Sequence, residues 1–556
     1  MLCKDTEAIV SNNYADYISD FTVPQELLQV GVSALDYCFM QVDHRYRIVY
    51  VNRSQIPQTN VIRDSYYGIP KLYGLESNEQ FLNLIETGIY KVQNPPLSLT
   101  GKGVLLGFVD TGIRYREEFF INEFGKTKIA SIWDQTIEGN APENFFYGTE
   151  YTREEIDLAL QSENPLEIVP SYDENGHGSA MASVQAAPDA ELLVVKLKPA
   201  KQYLKGFYLL DSDTVAFEEN DIMLGCKYLL DYANKVRKPL VICLGIGTNW
   251  GDHAGNSPLG VYLSDIHKTR SRAVVVSAGN EGNANHHYKG VVENVTDTNK
   301  VIDTVELRVQ GAGKGFACEF WGMSPDVYEI GVITPGGEQI PRIKFNYQEG
   351  QSYDFVYEKT VLHIDMILVE QVSAQELIVI RFENPTNGVW QLQIYAKNPI
   401  YFGEFHLWLP TTTFLAGVCE FLNPNPYNTI TEPGMAEGVT TVGAYNSVNN
   451  SFAFFSGRGF SRQGLPKPDM IAPGVMLETP VGITSGTSIA GAYVAGAMAD
   501  FMQWAVVERN AVLVSGIEIE GYFIRGATRE DGMEYPSREL GYGKINLAGV
   551  FESLRR

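Results

Sequence analysis

Long apolar segments are missing from the sequence. None of its 556 residues belongs to a run close to the roughly 18 apolar residues that a membrane-spanning helix needs. The opening segment Met1–Glu7 has neither a basic leader nor an apolar core, so no cleavable secretory signal is visible. We therefore expect a soluble protein without a membrane span that is made in the cytoplasm.

Basic residues are outnumbered. The chain has 43 Lys and Arg against 67 Asp and Glu, which gives a formal net charge of −24. Such a surface repels phosphate backbones and anionic bilayers, so nucleic acid is not an expected partner. The hydrophobic share of 44% is ordinary for globular proteins and excludes wholesale disorder and fibrous architectures.

Cysteine is scarce, and no CxxC pair occurs. The six cysteines are Cys3, Cys38, Cys226, Cys243, Cys318 and Cys419. Their scattered positions support neither a zinc site nor a dense disulfide framework. We expect all six to be buried, reduced thiols.

Metal-binding motifs are also absent. The adjacent His286 and His287 have no partner at HExxH-like spacing and are expected to be exposed loop histidines. No D-x-D-x-D-G loop marks a calcium site, so calcium binding is left open. We assign no metal and no other cofactor.

The length calls for more than one core, since single domains rarely exceed about 250 to 300 residues. Residues 1–75 are predicted to form a small α+β unit, with an alternating strand at Arg45–Asn52 and a short helix that opens at Pro24. From Gly101 onward, apolar runs predict parallel strands covered on both faces. These runs lie at 104–109, 192–195, 240–244 and 273–276.

Helical patterns separate these strands. One covers 222–236 and ends at the Lys238–Pro239 break. Between residues 290 and 425 the pattern changes to alternating strands, which predicts an inserted antiparallel β module. The α/β pattern then resumes, with a helix near Ser488. We predict a doubly wound α/β domain formed by 76–289 and 426–556, interrupted by the insert at 290–425.

Three short segments place polar reactive side chains at strand ends or in Gly-rich loops. They are Val109–Gly112, Asn175–Ser179 and Ser485–Ala490. A hydroxyl attacks a carbonyl when an imidazole takes its proton, and that imidazole needs a carboxylate to fix its tautomer. Singly, such segments are more often an ordinary turn, a loop histidine or a helix cap. Together, Asp110, His177 and Ser488 supply all three groups.

A fourth segment, Val276–Gly282, ends a buried strand and contains Asn280. The side-chain amide of Asn280 is predicted to donate to a tetrahedral oxyanion together with the backbone N–H of Ser488. A helix that begins at Ser488 adds the positive end of its dipole at the same place.

These segments resemble those of the subtilisin family (subtilases), which are serine peptidases. The Asp-Thr-Gly, His-Gly-Ser, Ala-Gly-Asn and Gly-Thr-Ser segments occur in the family's order, joined by Lys467–Gly474 and Leu540–Asn546. In subtilisin the catalytic residues follow one another along the chain in the order Asp, His, Ser. An α/β hydrolase is disfavoured, because there is no G-x-S-x-G and the chain order differs.

The resemblance implies a serine endopeptidase that cleaves a protein substrate through an acyl-enzyme. It assigns Ser488 as nucleophile, His177 as general base and then acid, and Asp110 as its orienter. It places Asn280 in the oxyanion hole. It also implies that Ile242–Gly247, with Leu244, Gly245 and Ile246 as substrate-binding residues, is an edge strand that pairs with the substrate backbone.

Within the family, the arrangement is similar to that of the clostridial germination-type (Csp-like) proteases, on the long stretch between Asn280 and Ser488 that an insert must fill. This implies that the insert is a jelly roll and that residues 1–75 are a prodomain. The enzyme would cut this prodomain off near Tyr73–Glu76, in an exposed turn, and retain it. The substrate would be a zymogen such as a spore cortex-lytic precursor, with a spore-associated location.

An interpretation from another class stays open. A chain that folds in this way and cuts itself once can then act as a scaffold or signalling partner, because a retained prodomain blocks the cleft. The intact set of reactive residues argues against a dead enzyme but not against a single-turnover one.

Overall fold

The structure of the chain is a computed structural model. It describes residues 2–3, 6–22, 37–56, 58–76, 87–293, 295, 297–345 and 350–555. The helix predicted to open at Pro24 lies outside these residues.

The amino-terminal part contains a three-stranded antiparallel sheet. Its elements are α1 (Thr6–Val10), β1 (Tyr14–Asp20), β2 (Tyr37–Gln41), β3 (Tyr46–Asn52), α2 (Val61–Asp64), β4 (Leu72–Leu75) and α3 (Ile89–Gln93). β3 is central and pairs with β1 and β2. The alternating pattern predicted for this strand is therefore present.

A disulfide joins Cys3 to Cys38 in this sheet, so the expectation that all six cysteines are free thiols is wrong. The two residues meet because Leu2 bridges to Phe39 of β2, and the Cys3 N–H donates to the Phe39 carbonyl at 3.0 Å. The spacing of the two cysteines along the sequence gives no sign of this contact. The other four are buried free thiols.

The first part of the α/β region follows. Its strands are β5 (Leu105–Asp110), β6 (Ile129–Asp134), β7 (Thr149–Thr152), β8 (Glu191–Lys196), β9 (Phe217–Glu218), β10 (Leu240–Leu244), β11 (Ile246–Gly247) and β12 (Arg272–Ser277). Its helices are α4 (Arg153–Gln161), α5 (Pro165–Ile168), α6 (His177–Val184), α7 (Gln202–Phe207), α8 (Glu219–Val236) and α9 (Pro258–Lys268).

A pair of antiparallel sheets comes next. Its strands are β13 (His287–Val291), β14 (Val301–Gln310), β15 (Gly315–Gly322), β16 (Tyr328–Ile333), β17 (Gln339–Ile343), β18 (Gln351–Phe355), β19 (Thr360–Ile367), β20 (Glu376–Glu383), β21 (Gly388–Ala396), β22 (Glu404–Trp408) and β23 (Val418–Phe421). One sheet has the order β13-β22-β15-β20-β19-β18 and the other β17-β16-β21-β14-β23. Apolar residues of both sheets share one core. We call this part the β module.

The α/β region then resumes. Its elements are β24 (Thr440–Tyr445), β25 (Met470–Pro473), β26 (Leu477–Thr479), β27 (Gly482–Thr484), α10 (Thr487–Met502), α11 (Gly516–Gly526) and α12 (Leu547–Ser553). Both predicted helices, over 222–236 and near Ser488, are present as α8 and α10.

The main sheet has the order β25-β24-β12-β10-β5-β8-β6-β7. All neighbouring pairs are parallel except β6 with β7. Alternate residues of β5 and β10 belong to two different cores, because successive side chains point to opposite faces. Residues of α6, α10, α11 and α12 join one core and those of α8 and α9 the other. This is the predicted doubly wound α/β architecture.

β4 is a buried strand, so the exposed turn predicted at Tyr73–Glu76 is wrong. It pairs antiparallel with β11 on one edge and with β9 on the other. Leu72 and Tyr73 have no exposed surface, and Glu76 is 4% exposed. β9 pairs with the first half of the strand and β11 with the second half, and these pairings contribute to its burial because they provide partners for its backbone groups.

Candidate active site

Asp110, His177 and Ser488 form one hydrogen-bonded chain. His177 Nδ1 lies 2.8 Å from Asp110 Oδ1, and His177 Nε2 lies 3.2 Å from Ser488 Oγ. All three side chains are buried. A hydroxyl next to an imidazole that a carboxylate orients is the arrangement that activates oxygen for attack on a carbonyl.

The main sheet explains how distant residues meet here. Asp110 is the last residue of β5, His177 is the first residue of α6, and Ser488 lies in the first turn of α10. Both helices pack on the same face of the sheet. The three groups therefore converge at the carboxyl end of the central strands, where open α/β sheets carry their sites.

Asp173 fixes the loop that carries His177. Its carboxylate accepts hydrogen bonds from the N–H groups of Gly176 and Ser179 at 2.7 and 2.9 Å and from the Ser179 hydroxyl at 2.7 Å. The start of α6 is thereby held in place, and His177 with it.

The pKa of His177 is raised above its ordinary value. Burial alone would lower this pKa, but the charge of Asp110 and its hydrogen bond to the imidazole outweigh the burial. The buried carboxylate thus favours the imidazolium, the form in which His177 has accepted a proton.

Asn280 presents an unused donor beside Ser488. Its Oδ1 accepts from the N–H and the hydroxyl of Thr487 at 3.1 and 3.0 Å, which fixes the orientation of the amide. Its Nδ2 is buried and has no hydrogen-bond partner among the residues that the structure describes. A buried donor without a partner is costly unless something binds to it, and a developing oxyanion is such an acceptor.

The end of the β4 segment lies on the reactive hydroxyl. Ser488 Oγ donates to the carbonyl oxygen of Glu76 at 2.5 Å. The peptide carbonyl of Glu76 is therefore the group that lies nearest to the position of attack. Together with the antiparallel pairing of β4 and β11, this is how an extended peptide lies in a protease cleft.

The side chain of Glu76 fills a small polar pocket. The hydroxyls of Ser277 and Thr431 donate to its two carboxylate oxygens, the latter at 2.7 Å. Burial raises the pKa of Glu76 to about 7, although both hydrogen bonds oppose the shift. The pocket therefore favours the neutral acid over the carboxylate.

The residues predicted to bind substrate lie at different depths. Ile246 pairs with Leu75 of β4, and Gly247 pairs with Gly74. Leu244 lies in β10, an inner strand of the main sheet between β12 and β5, so the expectation that the edge strand includes Leu244 is wrong. A Cβ on Gly245 would lie 2.7 Å from Ser488 Cβ, so only glycine allows the backbone to approach Ser488 this closely.

The β module contributes to the same cleft. A cavity of about 370 Å³ lies between residues 74–76, the loop after Asn280, and residues 411–420 of the β module. Glu281 links the two sides, because its carboxylate accepts from the Thr412 N–H at 2.9 Å and from His286 Nδ1 at 2.5 Å.

His286 and His287 are buried, so the expectation of exposed loop histidines is wrong. His286 pairs with Glu281. His287, in the first strand of the β module, has its Nε2 2.9 Å from Nδ1 of His406 in β22. Within the described ranges, no group of three or more His, Cys, Asp or Glu residues is placed to hold a metal ion. In the same residues, no helix has the length and apolar character to cross a membrane.

Sequence reasoning missed the residues that shape the pocket. Asp173, Thr431 and Thr413 belong to no recognisable motif, and only the folded chain brings them to the cleft. Ser277 lies in the Val276–Gly282 segment, but the segment gives no sign of its contact with Glu76. Gly247 closes the Ile242–Gly247 segment that is predicted to pair with substrate.

The chain is similar to known proteins in both sequence and structure. A sequence profile described as the subtilase family matches residues 420–543. The solved structure of the Clostridium perfringens CspB protease is 31% identical, with a TM-score of 0.74, and the alignment covers 84% of this chain and 98% of that one. The prenylagaramide maturation protease PagA also matches, at 12% identity and a TM-score of 0.38 over 84% and 98% of the two chains. No curated protein sequence matches the chain.

Proposed function

Since the chain belongs to the subtilase family of serine peptidases, we propose that it is an endopeptidase that first cleaves itself after Glu76 and then cleaves a protein substrate. The observation that carries this proposal is the hydrogen bond from Ser488 Oγ to the Glu76 carbonyl at 2.5 Å. This contact brings the hydroxyl to the Glu76 peptide group, and the proposed attack on the carbonyl carbon requires its proton to turn from the carbonyl oxygen to His177.

The proposed roles follow from the contacts. His177 accepts the proton of Ser488 as the oxygen attacks Glu76, while Asp110 stabilises the imidazolium. The Nδ2 of Asn280 and the backbone N–H of Ser488 donate to the oxyanion. His177 then returns the proton to the leaving amine of Ser77, and water releases the acyl-enzyme by the reverse sequence.

Residues 1–76 act in this proposal as a prodomain that stays bound after the cut. Its support is the docking of the amino-terminal sheet, in which Asp16 forms a buried ion pair with Lys201. Lys201 begins the α7 region of the α/β domain, and Asn220 of α8 also donates to Asp16 at 3.1 Å. These contacts do not depend on an intact bond after Glu76.

The proposed division of the chain keeps the β module at 290–425 as a jelly roll inserted into the α/β domain. For the substrate we propose a zymogen, with a spore cortex-lytic precursor as our candidate and a spore-associated location, as the resemblance to the Csp-like proteases implies.

The test compares the full chain with its Ser488→Ala variant by intact mass. We expect two fragments that meet at the Glu76–Ser77 bond from the first and one uncut chain from the second. An uncut parent chain, or a Ser488→Ala variant that is cut at the same bond, would overturn the proposal.

One observation favours a second function. Residues 72–76 fill the cleft along both edges, so a chain that has cut itself once is closed to other substrates. A single-turnover scaffold is therefore the alternative. Labelling of Ser488 by a fluorophosphonate in the processed protein supports the endopeptidase, whereas a processed protein that resists labelling supports the scaffold.

A further inference from the structure

The β module touches the segment that lies in the cleft. Residues Thr412–Phe414, between β22 and β23, form a short helical turn that covers Gly74. A Cβ on Gly74 would lie 2.5 Å from Thr413 Oγ1 and 3.1 Å from Phe414 Cε1. The first distance is shorter than real Cβ contacts, and the second is tight. The turn therefore leaves no room for a side chain at position 74.

Space, rather than backbone conformation, makes this restriction. Gly74 is not among the glycines with a left-handed backbone. Its neighbours Tyr73 and Leu75 in the same strand carry large side chains. A residue with a side chain can therefore adopt the backbone of Gly74, and only the covering turn excludes it.

The covering turn is held firmly. Phe414 is 3% exposed and stacks on Trp250 at a ring distance of 5.3 Å. Trp250 in turn donates its indole N–H to the Ala317 carbonyl of the β module at 3.1 Å. Phe414 therefore yields little to an added methyl group, because protein interiors are close-packed. Thr413 is exposed, and its hydroxyl is held by a hydrogen bond with the Thr411 hydroxyl at 3.3 Å.

The covering turn is also linked to the candidate active site. The Thr412 N–H donates to Glu281, and Glu281 directly follows Asn280. Gly74 itself pairs with Gly247, which lies two residues after Gly245 beside Ser488. The distance between the covering turn and β4 is thus fixed by contacts with the same loops that carry the active-site residues.

We infer that the β module sets the specificity of the cleft, and that Thr413 and Phe414 restrict the third residue before the cleaved bond to glycine. The substrate class is an extended protein segment with glycine two residues ahead of the residue that is cleaved. This inference rests on the proposed function, because it treats residues 72–76 as lying where a substrate lies.

The test uses autoprocessing of the full chain. Gly74→Ala should slow cleavage after Glu76 by about 10- to 100-fold, the cost of an added methyl in a packed site. In a Thr413→Ala background, the ratio between the Gly74 chain and its Gly74→Ala variant should fall to about threefold or less, because the closest atom is gone. Rescue by Thr413→Ala distinguishes steric exclusion by the covering turn from a general packing defect caused by Gly74→Ala.

Val418→Ala is the matched control. Val418 of β23 lines the same cavity and is exposed, but it is not among the atoms nearest to Gly74, so the ratio should stay near its original value. Equal cleavage of the Gly74→Ala variant and the parent chain would overturn the inference, as would a ratio that Thr413→Ala leaves unchanged. An uncut parent chain would instead overturn the proposed function.

Folding is monitored by circular dichroism in parallel. Where Gly74→Ala alone does not accumulate as a folded chain, the double variant with Thr413→Ala decides. A folded and cut double variant supports the inference, and an uncut or unfolded one overturns it.

Discussion

Ser488 Oγ donates a hydrogen bond to the carbonyl oxygen of Glu76 at 2.5 Å. The nucleophile of the proposed reaction thus contacts a peptide group of its own chain, while His177 Nε2 lies 3.2 Å from the same oxygen. Enzyme and first substrate are one molecule, so each step can be followed by changing single residues and measuring the fraction of chain that is cut.

Removal of the oxyanion donor should slow the cut without unfolding the chain. We expect Asn280→Asp to reduce the autoprocessing rate by about 100- to 1,000-fold, because it keeps the acceptor for Thr487 and loses the Nδ2 donor. Intact mass over time gives the rate. Asn283→Ala is the control, since Asn283 lines the neighbouring cavity, and equal rates for all three chains would contradict the role of Asn280.

The rate should fall as pH falls through the pKa of His177. The protonated imidazole cannot accept a proton, and the pKa is raised above its ordinary value of 6.5 because Asp110 outweighs the effect of burial. A pH profile of autoprocessing in a Glu76→Gln chain measures this dependence without the titration of Glu76. A rate that falls only below pH 6.5 would contradict the coupling of His177 to Asp110.

The same coupling predicts that Asp110→Asn lowers the autoprocessing rate by about four orders of magnitude.

The side chain of Glu76 should add an opposite pH dependence. Its pKa rises from 4.5 to about 7 in the pocket, so its contribution to docking is fully present below 4.5 and is lost as pH rises through 7. The rate of a Glu76→Gln chain relative to the parent should therefore increase by about two orders of magnitude over this window. A ratio independent of pH would exclude preference for the neutral acid.

The ion pair between Asp16 and Lys201 should hold the amino-terminal part after cleavage. Both side chains are buried, at 0% and 2% exposed, and removal of one partner from a buried pair costs about 3–5 kcal/mol. We expect Asp16→Ala to lower the free energy of unfolding by this amount and to release the cut fragment during size-exclusion chromatography.

Asp20→Ala is the matched control for this change. Asp20 pairs with Arg45 within the amino-terminal sheet, where both side chains are partly exposed, and such pairs contribute about 0.2–1 kcal/mol. Retention of the fragment by the Asp16→Ala chain would show that the buried pair does not hold it.

The main sheet could be predicted from the sequence because its strands are buried on both faces. Continuous apolar runs such as Leu240–Leu244 allow few other structures, and the helix before it ends at a proline break. The reactive residues could be identified because Asp110, His177 and Ser488 lie in short segments whose local geometry is set by neighbouring glycines. The three residues meet because the main sheet brings the end of β5 and the starts of α6 and α10 to the same edge.

Other features depend on contacts that no local pattern encodes. The burial of Tyr73–Glu76 comes from pairing with β9 and β11, which lie far along the chain, whereas the local glycine-containing pattern predicts an exposed turn. The burial of His286 depends on Glu281 and the β module, and the bridge between Cys3 and Cys38 depends on a strand contact. In each case, contacts between residues that are distant in the sequence produce a structure that the local pattern does not predict.

The two partners of β4 hold different parts of it, which has a mechanical consequence. β9 pairs with Leu72 and Tyr73, whereas β11 pairs with Gly74 and Leu75. Because neither partner spans the whole segment, residues 74–76 can separate from β11 while residues 72–73 stay paired with β9. The end of the segment at Ser488 can then leave and return like the free end of a tether that stays anchored at β9.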